Sequence, residues 1–126
     1  MLANEFLGIA AYVGAAPIDT KILKYFASID LPIYEVFGQS ECTGPHCVNS
    51  VDFWQIGTCG KALPGTETKI SEDSGELCYR GRHIFAGYMG MEEMTTETID
   101  SEGWLHRSVQ SYISYFLYDK LIFYLQ

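Results

Sequence analysis

Residues 34–46 carry side chains that could do chemistry, because they place an aromatic ring, a hydroxyl and a carboxylate at fixed offsets behind a strand-like run. Phe37 offers a ring face for a base, Ser40 offers a hydroxyl for a phosphate oxygen, and Glu41 offers a hard carboxylate for Mg²⁺. Gly38 would let the backbone approach a ligand closely. The segment therefore predicts nucleotide and metal chemistry.

The same segment also fits an ordinary turn, in which Ser and Thr bond to nearby backbone groups and the glutamate is solvated. Short glycine-containing motifs recur by chance, so spacing alone favours this turn. A second loop, Gly14, Ala15 and Ala16, has small residues on whose backbone a flat ring could pack. The alternative is that this loop is simply a tight turn, which ends at Pro17 and connects a strand to the following helix.

For the histidines and for two arginines, the sequence favours structural or surface roles over catalytic ones. His46, His83 and His106 are single imidazoles without the spacing of metal sites, and no Ser-His-Asp set is suggested. Arg80 and Arg82 flank a glycine, where surface or salt-bridging arginines are commoner than phosphate ligands.

Composition limits the possible partners of the 126 residues, which fit one domain. The net charge is -8 and the eight cations are scattered, which argues against nucleic acid or an anionic membrane as a partner. The four cysteines form no CxxC pair and are interpreted as reduced intracellular thiols, without a structural metal. We expect no cleaved targeting signal and no transmembrane span.

The elements that must position the two loops form an α/β arrangement. Residues 7–13 are a continuous apolar run, which indicates a buried strand of a parallel sheet. Asp19 is a plausible cap for a helix whose apolar residues recur at helical spacing, and residues 31–37 resemble the next strand. In such a βαβ unit, ligands bind beyond the carboxyl ends of the strands, where both loops lie.

Beyond His46 the pattern changes to short apolar stretches separated by glycine and proline, which indicates antiparallel strands with turns. Residues 92–99 could form a short helix, followed by a turn at 101–103. Residues 109–126 stand apart, with six aromatic residues and no clear periodicity. This tail could seek a membrane, cover apolar surface, or have no evolved role, and then its β-prone runs would favour aggregation.

Five blocks occur in a fixed order along the chain, namely residues 14–18, 34–46, 59–65, 75–88 and 99–106. In this order they resemble the adenylate-forming (AMP-binding) acyl-CoA synthetases, and most closely the bubblegum-type long-chain fatty acid CoA ligases. The resemblance covers about residues 5–106. It implies a fragment of the large N-terminal domain, in which a βαβ unit of a parallel sheet is followed by short antiparallel strands.

The resemblance also implies a reaction in fatty acid metabolism. ATP and a fatty acid, with Mg²⁺, form an acyl-adenylate and pyrophosphate, and CoA then displaces AMP to give the thioester. The residues that the resemblance assigns are Gly14, Ala15, Ala16, Phe37, Gly38 and Ser40 for the nucleotide, Ser40 and Glu41 for catalysis, and Glu41 for the metal. The parent enzyme would be cytoplasmic, with peripheral association to internal membranes.

Several departures from the family pattern predict a partial chain. No Ser/Thr-Gly-rich phosphate loop is found, and Arg107, Ser108 and Val109 stand where the family has Ser/Thr-Gly-Asp. Valine cannot accept the ribose hydrogen bonds that the family's aspartate accepts. We therefore divide the chain into a partial AMP-binding domain at 1–106 and a divergent hydrophobic tail at 107–126. We expect the chain to be inactive on its own.

Two further hypotheses compete with an inactive ligase fragment. The chain could be a non-catalytic module that binds adenine nucleotides or associates with the full-length enzyme. It could also be a truncated product without a stable fold, because missing sheet neighbours leave strand edges and apolar faces uncovered.

Overall fold

The computed structural model describes residues 10–71 and 74–106, together with the backbone of residues 116–117 and 120–121. Its first unit is a parallel pair of strands joined by a helix: β1 (Ala11–Val13), α1 (Thr20–Ser28) and β2 (Ile33–Gln39). The βαβ unit predicted from the sequence is confirmed. The predicted first strand began at residue 7, but residues 7–9 lie outside the described residues.

Helix α1 begins at the predicted cap, where the Asp19 carboxylate accepts a hydrogen bond of 2.8 Å from the backbone N–H of Lys21. Leu23 is the buried residue of the helix, at 1% exposure. Ile22 and Ile29 have the predicted helical spacing but remain about half exposed.

Replacing Asp19 by alanine is expected to lower the free energy of unfolding by about 1 kcal/mol, because an orphan N–H at the helix start loses its acceptor. The measurement is urea denaturation followed by circular dichroism. Asp19→Asn is the matched control, since asparagine keeps a side-chain acceptor, and equal losses in both variants would contradict a capping role.

The first sheet continues from β2 through antiparallel strands in the order β1-β2-β3-β4, with β3 at Gly44–Val48 and β4 at Lys61–Ala62. The β2–β3 register shifts between Phe37 and Gly38. A single 3₁₀ turn, Ser40–Cys42, connects the two strands, and Thr43 after it has a left-handed φ of 53°. The parallel sheet therefore changes to antiparallel pairing at the loop that carries Ser40 and Glu41.

The second sheet is antiparallel throughout, in the order β5-β6-β7. Its strands are Thr66–Ile70, Leu77–Gly81 and Leu105–His106, and helix α2 (Glu92–Thr98) precedes the last of them. The short antiparallel strands and the short helix predicted from the sequence are thus confirmed. Two further backbone segments, β8 (Phe116–Leu117) and β9 (Lys120–Leu121), pair antiparallel, while the rest of the predicted tail lies outside the described residues.

The core lies between the two sheets. One side supplies Phe37 and three cysteines, and the other supplies Leu77, Tyr79 and Leu105. The four cysteines, Cys42, Cys47, Cys59 and Cys78, are all free and buried. Burial raises the pKa of the Cys59 thiol to about 12, so the sulfur packs as a neutral group.

Trp104 contacts two cations of the second sheet through its ring. The Lys69 Nζ is 4.2 Å from its ring centroid, and the Arg80 guanidinium carbon is 4.5 Å from it. Arg80 also forms a 2.7 Å ion pair with Glu67, so the salt-bridging role predicted for this arginine is confirmed. Among the helices that the structure describes, none has the length and apolar character needed to cross a bilayer.

Candidate functional site

A cavity of about 560 Å³ lies at the carboxyl ends of the parallel strands β1 and β2. Ligands of open α/β sheets bind at this edge. The residues that line it are Gly14, Ala15, Val36, Gly38, Gln39, Ser40, Thr43, Gly44 and Pro45. Four of the residues that the sequence predicted for a nucleotide site, Gly14, Ala15, Gly38 and Ser40, are therefore brought together from two segments.

The first wall of the cavity is the loop after β1, which has no room for larger side chains. A Cβ added at Gly14 would lie 2.6 Å from Val36 Cγ2 and 3.1 Å from the Val36 carbonyl oxygen. Ala15 follows with a φ of 70°, a left-handed conformation that a non-glycine residue rarely adopts. Such an outlier persists only where the surroundings hold it, and this one lies on the cavity surface.

The second wall is the loop after β2, where the backbones of two strands come unusually close. A Cβ at Gly38 would lie 1.9 Å from the Gly44 carbonyl oxygen and 2.7 Å from Pro45 Cα. Gly38 is therefore required by main-chain packing, in addition to the ligand approach for which the sequence suggested it. Gly44 has a φ of 124° and lies next to the left-handed Thr43, so the chain reverses at these two residues.

The buried thiol of Cys42 stabilises this second loop through hydrogen bonds to its backbone. Its thiol is 3.2 Å from the N–H of Gln39 and lies near the carbonyl oxygens of Gln39 and Gly44 at 3.3 and 3.2 Å. Burial raises the pKa of Cys42, which keeps the sulfur protonated and able to donate. The sequence showed only an isolated cysteine here, and its neighbours across the turn gave no signal of this role.

Ser40 and Glu41 are adjacent in sequence but lie in different surroundings. Ser40 is exposed and lines the cavity. Glu41 does not line it, and its Oε1 accepts a 2.8 Å hydrogen bond from the hydroxyl of Tyr88. The sequence did not single out Tyr88, although it belongs to the block at residues 75–88.

Ala16 and Phe37 lie outside the cavity lining. Ala16 is exposed beyond the loop. Phe37 is only 6% exposed, and its ring meets Tyr79 edge to face with centroids 6.4 Å apart. The backbone of Phe37 thus leads into the loop while its ring belongs to the core, and stacking of this ring on a base stays a prediction.

His46, on β3, is structural, as predicted from the sequence. His46 is completely buried, and its ring nitrogens lie 3.0 Å from His83 Nε2 and 2.8 Å from Thr68 Oγ1. Its ring also stacks on Tyr79 with centroids 4.6 Å apart. Burial, with His83 beside it, lowers the pKa of His46 to about 4, so the imidazole is neutral at physiological pH.

A Cys-His-Asp alignment, which the spacing did not suggest, lies on the second sheet. His106 Nε2 is 2.9 Å from Asp100 Oδ2, and its Nδ1 is 3.5 Å from Cys78 Sγ. This order is that of a nucleophile, a base and an orienting carboxylate. Cys78 is fully buried, however, and burial raises its pKa, so the thiol is neither ionised nor reachable.

Glu41 suits a magnesium ion that is shared with the phosphates of a substrate better than a metal ion held by protein side chains alone. Within the two described stretches, 10–71 and 74–106, no group of three or more His, Cys, Asp or Glu side chains could hold a metal. Magnesium in phosphate-transfer sites, however, is usually bound by one or two carboxylates together with the phosphates of the substrate. A single glutamate on the turn that carries Ser40 is compatible with that requirement.

A family model described as "AMP-binding enzyme" matches residues 4–89. The chain is 48% identical over 99 residues to long-chain-fatty-acid–CoA ligase ACSBG2 of Xenopus laevis, and 42% identical over 97 residues to ACSBG2 of Homo sapiens. It is 40% identical over 99 residues to ACSBG1 of Mus musculus. These matches cover 74–75% of this chain but only 13–15% of the relatives' own lengths.

Solved structures share the fold. O-succinylbenzoate CoA synthetase (MenE) of Bacillus subtilis, bound with a product analogue, matches with a TM-score of 0.77 at 21% identity, over 90% of this chain and 25% of that chain. MatB of Rhodopseudomonas palustris matches with a TM-score of 0.70 at 24% identity, over 83% and 24% of the two chains. MenE in complex with ATP and magnesium matches at 0.69 with 22% identity, over 78% and 22%. The predicted α/β fold is confirmed.

Proposed function

The chain belongs to the AMP-binding enzyme family, and on this premise we propose that it is a central piece of the large domain of a long-chain fatty acid CoA ligase. The observation that carries the proposal is the cavity at the ends of β1 and β2. There, small residues of two loops face one space, in a chain 40–48% identical to such ligases over the matched part. The parent reaction would use ATP, a fatty acid and CoA.

The residues of the cavity suit the parts of an adenine nucleotide. Gly14 and Ala15 present a side-chain-poor floor against which a flat base can lie. The exposed Ser40 hydroxyl can donate to a phosphate oxygen. Glu41, on the same 3₁₀ turn, supplies the carboxylate for magnesium, which would neutralise phosphate charge.

We further propose that the chain by itself binds the nucleotide without completing the reaction. Val109 stands where the family's aspartate for the ribose is expected, and it lies in the tail at residues 107–126 that we separate from the partial domain at residues 1–106. Removing one preorganised donor costs about 3–4 kcal/mol in activation free energy, so several missing groups remove measurable turnover. Fatty acid and CoA would then be partners of the parent enzyme, which would act in the cytoplasm or at the surface of internal membranes.

Exposed apolar side chains favour association with the full-length enzyme as the second function. Tyr12 on β1, Ile22 and Tyr25 on α1, and Ile29 at the end of that helix are 46–62% exposed. Apolar residues that form a contiguous exposed patch mark an interaction site, and we propose that these residues contribute to such a patch. Co-purification with the full-length ligase tests this function, and a stable monomer in its presence would exclude it.

Calorimetric titration with ATP and Mg²⁺ tests the main proposal. We expect saturable binding by the unmodified chain and loss of its magnesium dependence in Glu41→Ala, because the carboxylate is the proposed ligand. Glu97→Ala is the matched control, since Glu97 is an exposed carboxylate on α2 away from the cavity. Absence of binding by the unmodified chain would overturn the proposal, and acyl-CoA formation by it would overturn the claim of inactivity.

A further inference from the structure

Glu41 is held at both ends by one neighbouring segment. Its backbone carbonyl accepts a 2.8 Å hydrogen bond from the N–H of Phe85, and its Oε1 accepts a 2.8 Å hydrogen bond from the Tyr88 hydroxyl. The second carboxylate oxygen, Oε2, has no hydrogen-bond partner in the part of the chain that the structure describes. One oxygen of the carboxylate is therefore fixed by Tyr88, while the other has no hydrogen bond within the described residues.

The backbone and the ring of Tyr88 are held by contacts other than the one with Glu41. Its backbone N–H donates a 2.9 Å hydrogen bond to Thr95 Oγ1, and its ring packs edge to face on Phe85 with centroids 4.8 Å apart. A Cβ at Gly87, the preceding residue, would lie 2.5 Å from Thr95 Cγ2, so the chain passes directly against α2 here. Helix α2 thus determines where the Tyr88 hydroxyl lies.

We propose that Tyr88 is a positioning residue, which holds Oε1 of Glu41 so that Oε2 is presented to the magnesium ion of a bound nucleotide. The inference rests on the proposed function and adds a residue to it. Metal-ligating carboxylates commonly receive such outer hydrogen bonds, which set the orientation of the ligand. A carboxylate already fixed by a donor also loses less rotational freedom when the cation binds.

The phenol suits this role chemically. A hydroxyl that donates to an ionised carboxylate makes a strong, charge-assisted hydrogen bond. The hydrogen bond to Glu41 raises the pKa of Tyr88, as expected where the phenol is kept as a neutral donor. The two residues are 47 positions apart in sequence, so this contact depends on the tertiary fold.

Tyr88→Phe tests the inference, because it removes the hydroxyl and keeps the ring against Phe85. We expect the Kd for ATP in the presence of Mg²⁺ to rise about tenfold, the lower end of the effects of such outer partners on metal sites. The Kd for ATP with EDTA should not change. Tyr25→Phe is the matched control, since Tyr25 is 62% exposed on α1.

A double-mutant cycle separates a positioning role from a structural one. In the Glu41→Ala background, Tyr88→Phe should have no further effect on the magnesium dependence, because the positioned group is gone. Equal weakening with and without Mg²⁺, or an unchanged Kd in Tyr88→Phe, would overturn the inference alone. If the unmodified chain fails to bind ATP both in the presence of Mg²⁺ and in the presence of EDTA, the proposed function is wrong. The inference is then wrong as well.

Discussion

Replacing Gly38 by alanine is expected to lower the free energy of unfolding by about 3 kcal/mol and to close the cavity at the ends of β1 and β2. The new Cβ would lie 1.9 Å from the Gly44 carbonyl oxygen, 2.6 Å from its carbon and 2.7 Å from Pro45 Cα. All three atoms belong to the backbone, so no side-chain rotation can relieve the clash. The strands β2 and β3 must then separate where their register already shifts.

Urea denaturation followed by circular dichroism measures this loss, and Gly65→Ala is its control. Gly65 has a φ of 83° but no atom within 4 Å of an added Cβ, so alanine there carries only the backbone penalty, roughly 1 kcal/mol. The two variants thus distinguish crowding from conformation. If both unfold at the same urea concentration, the close approach of β2 to Gly44 does not exist in solution.

The buried histidine is expected to make the stability of the chain depend on pH between about 6.5 and 4. Burial, together with the neighbouring His83, lowers the pKa of His46 from 6.5 to about 4 in the folded state. The unfolded chain therefore takes up a proton at this residue before the folded chain does. Stability from the neutral imidazole is complete above pH 6.5 and is lost as the pH falls towards 4.

The expected loss from His46 between about pH 7.5 and about pH 5 is roughly 2 kcal/mol, since one pKa unit corresponds to about 1.4 kcal/mol. The His83 pKa is also lowered by burial, and the Glu35 pKa is raised by burial, so other groups contribute to the total dependence. His46→Gln removes one titrating group and leaves these in place. The difference in slope between the two chains isolates His46.

The measurement is the midpoint of urea unfolding at a series of pH values for the unmodified chain and His46→Gln. We expect the variant to be less stable at neutral pH, because it loses the stack on Tyr79. Its stability should nevertheless fall less steeply below pH 6.5. Parallel curves for the two proteins would contradict a neutral, buried His46.

The parts of the fold that the sequence predicted depend on local signals. Asp19 caps α1 through a residue two positions away, and the apolar spacing of the helix is visible in nine residues. The parallel pairing of β1 with β2 follows from a strand, a helix and a strand in succession. The two glycine-containing loops then meet because parallel strands end at the same edge, which placed Gly14, Ala15, Gly38 and Ser40 together.

The unpredicted features depend on residues that are distant in sequence. His46 meets His83 across 37 positions and Glu41 meets Tyr88 across 47, and no periodicity connects such residues. The sequence assigned the Phe37 ring to the nucleotide, although an aromatic residue at a strand end suits a core as well as a loop. The structure buries it against Tyr79, which the sequence did not relate to Phe37.

The two tryptophans of the chain contact different sheets. Trp54 donates its indole N–H to the carbonyl oxygen of Ile33, at the start of β2, with a distance of 3.0 Å. Trp104 contacts Lys69 and Arg80, whose positions depend on β5 and β6. Single-tryptophan forms of the chain would therefore carry one intrinsic fluorophore for each layer, and a nucleotide that binds at β2 would be sensed separately from melting of the opposite layer.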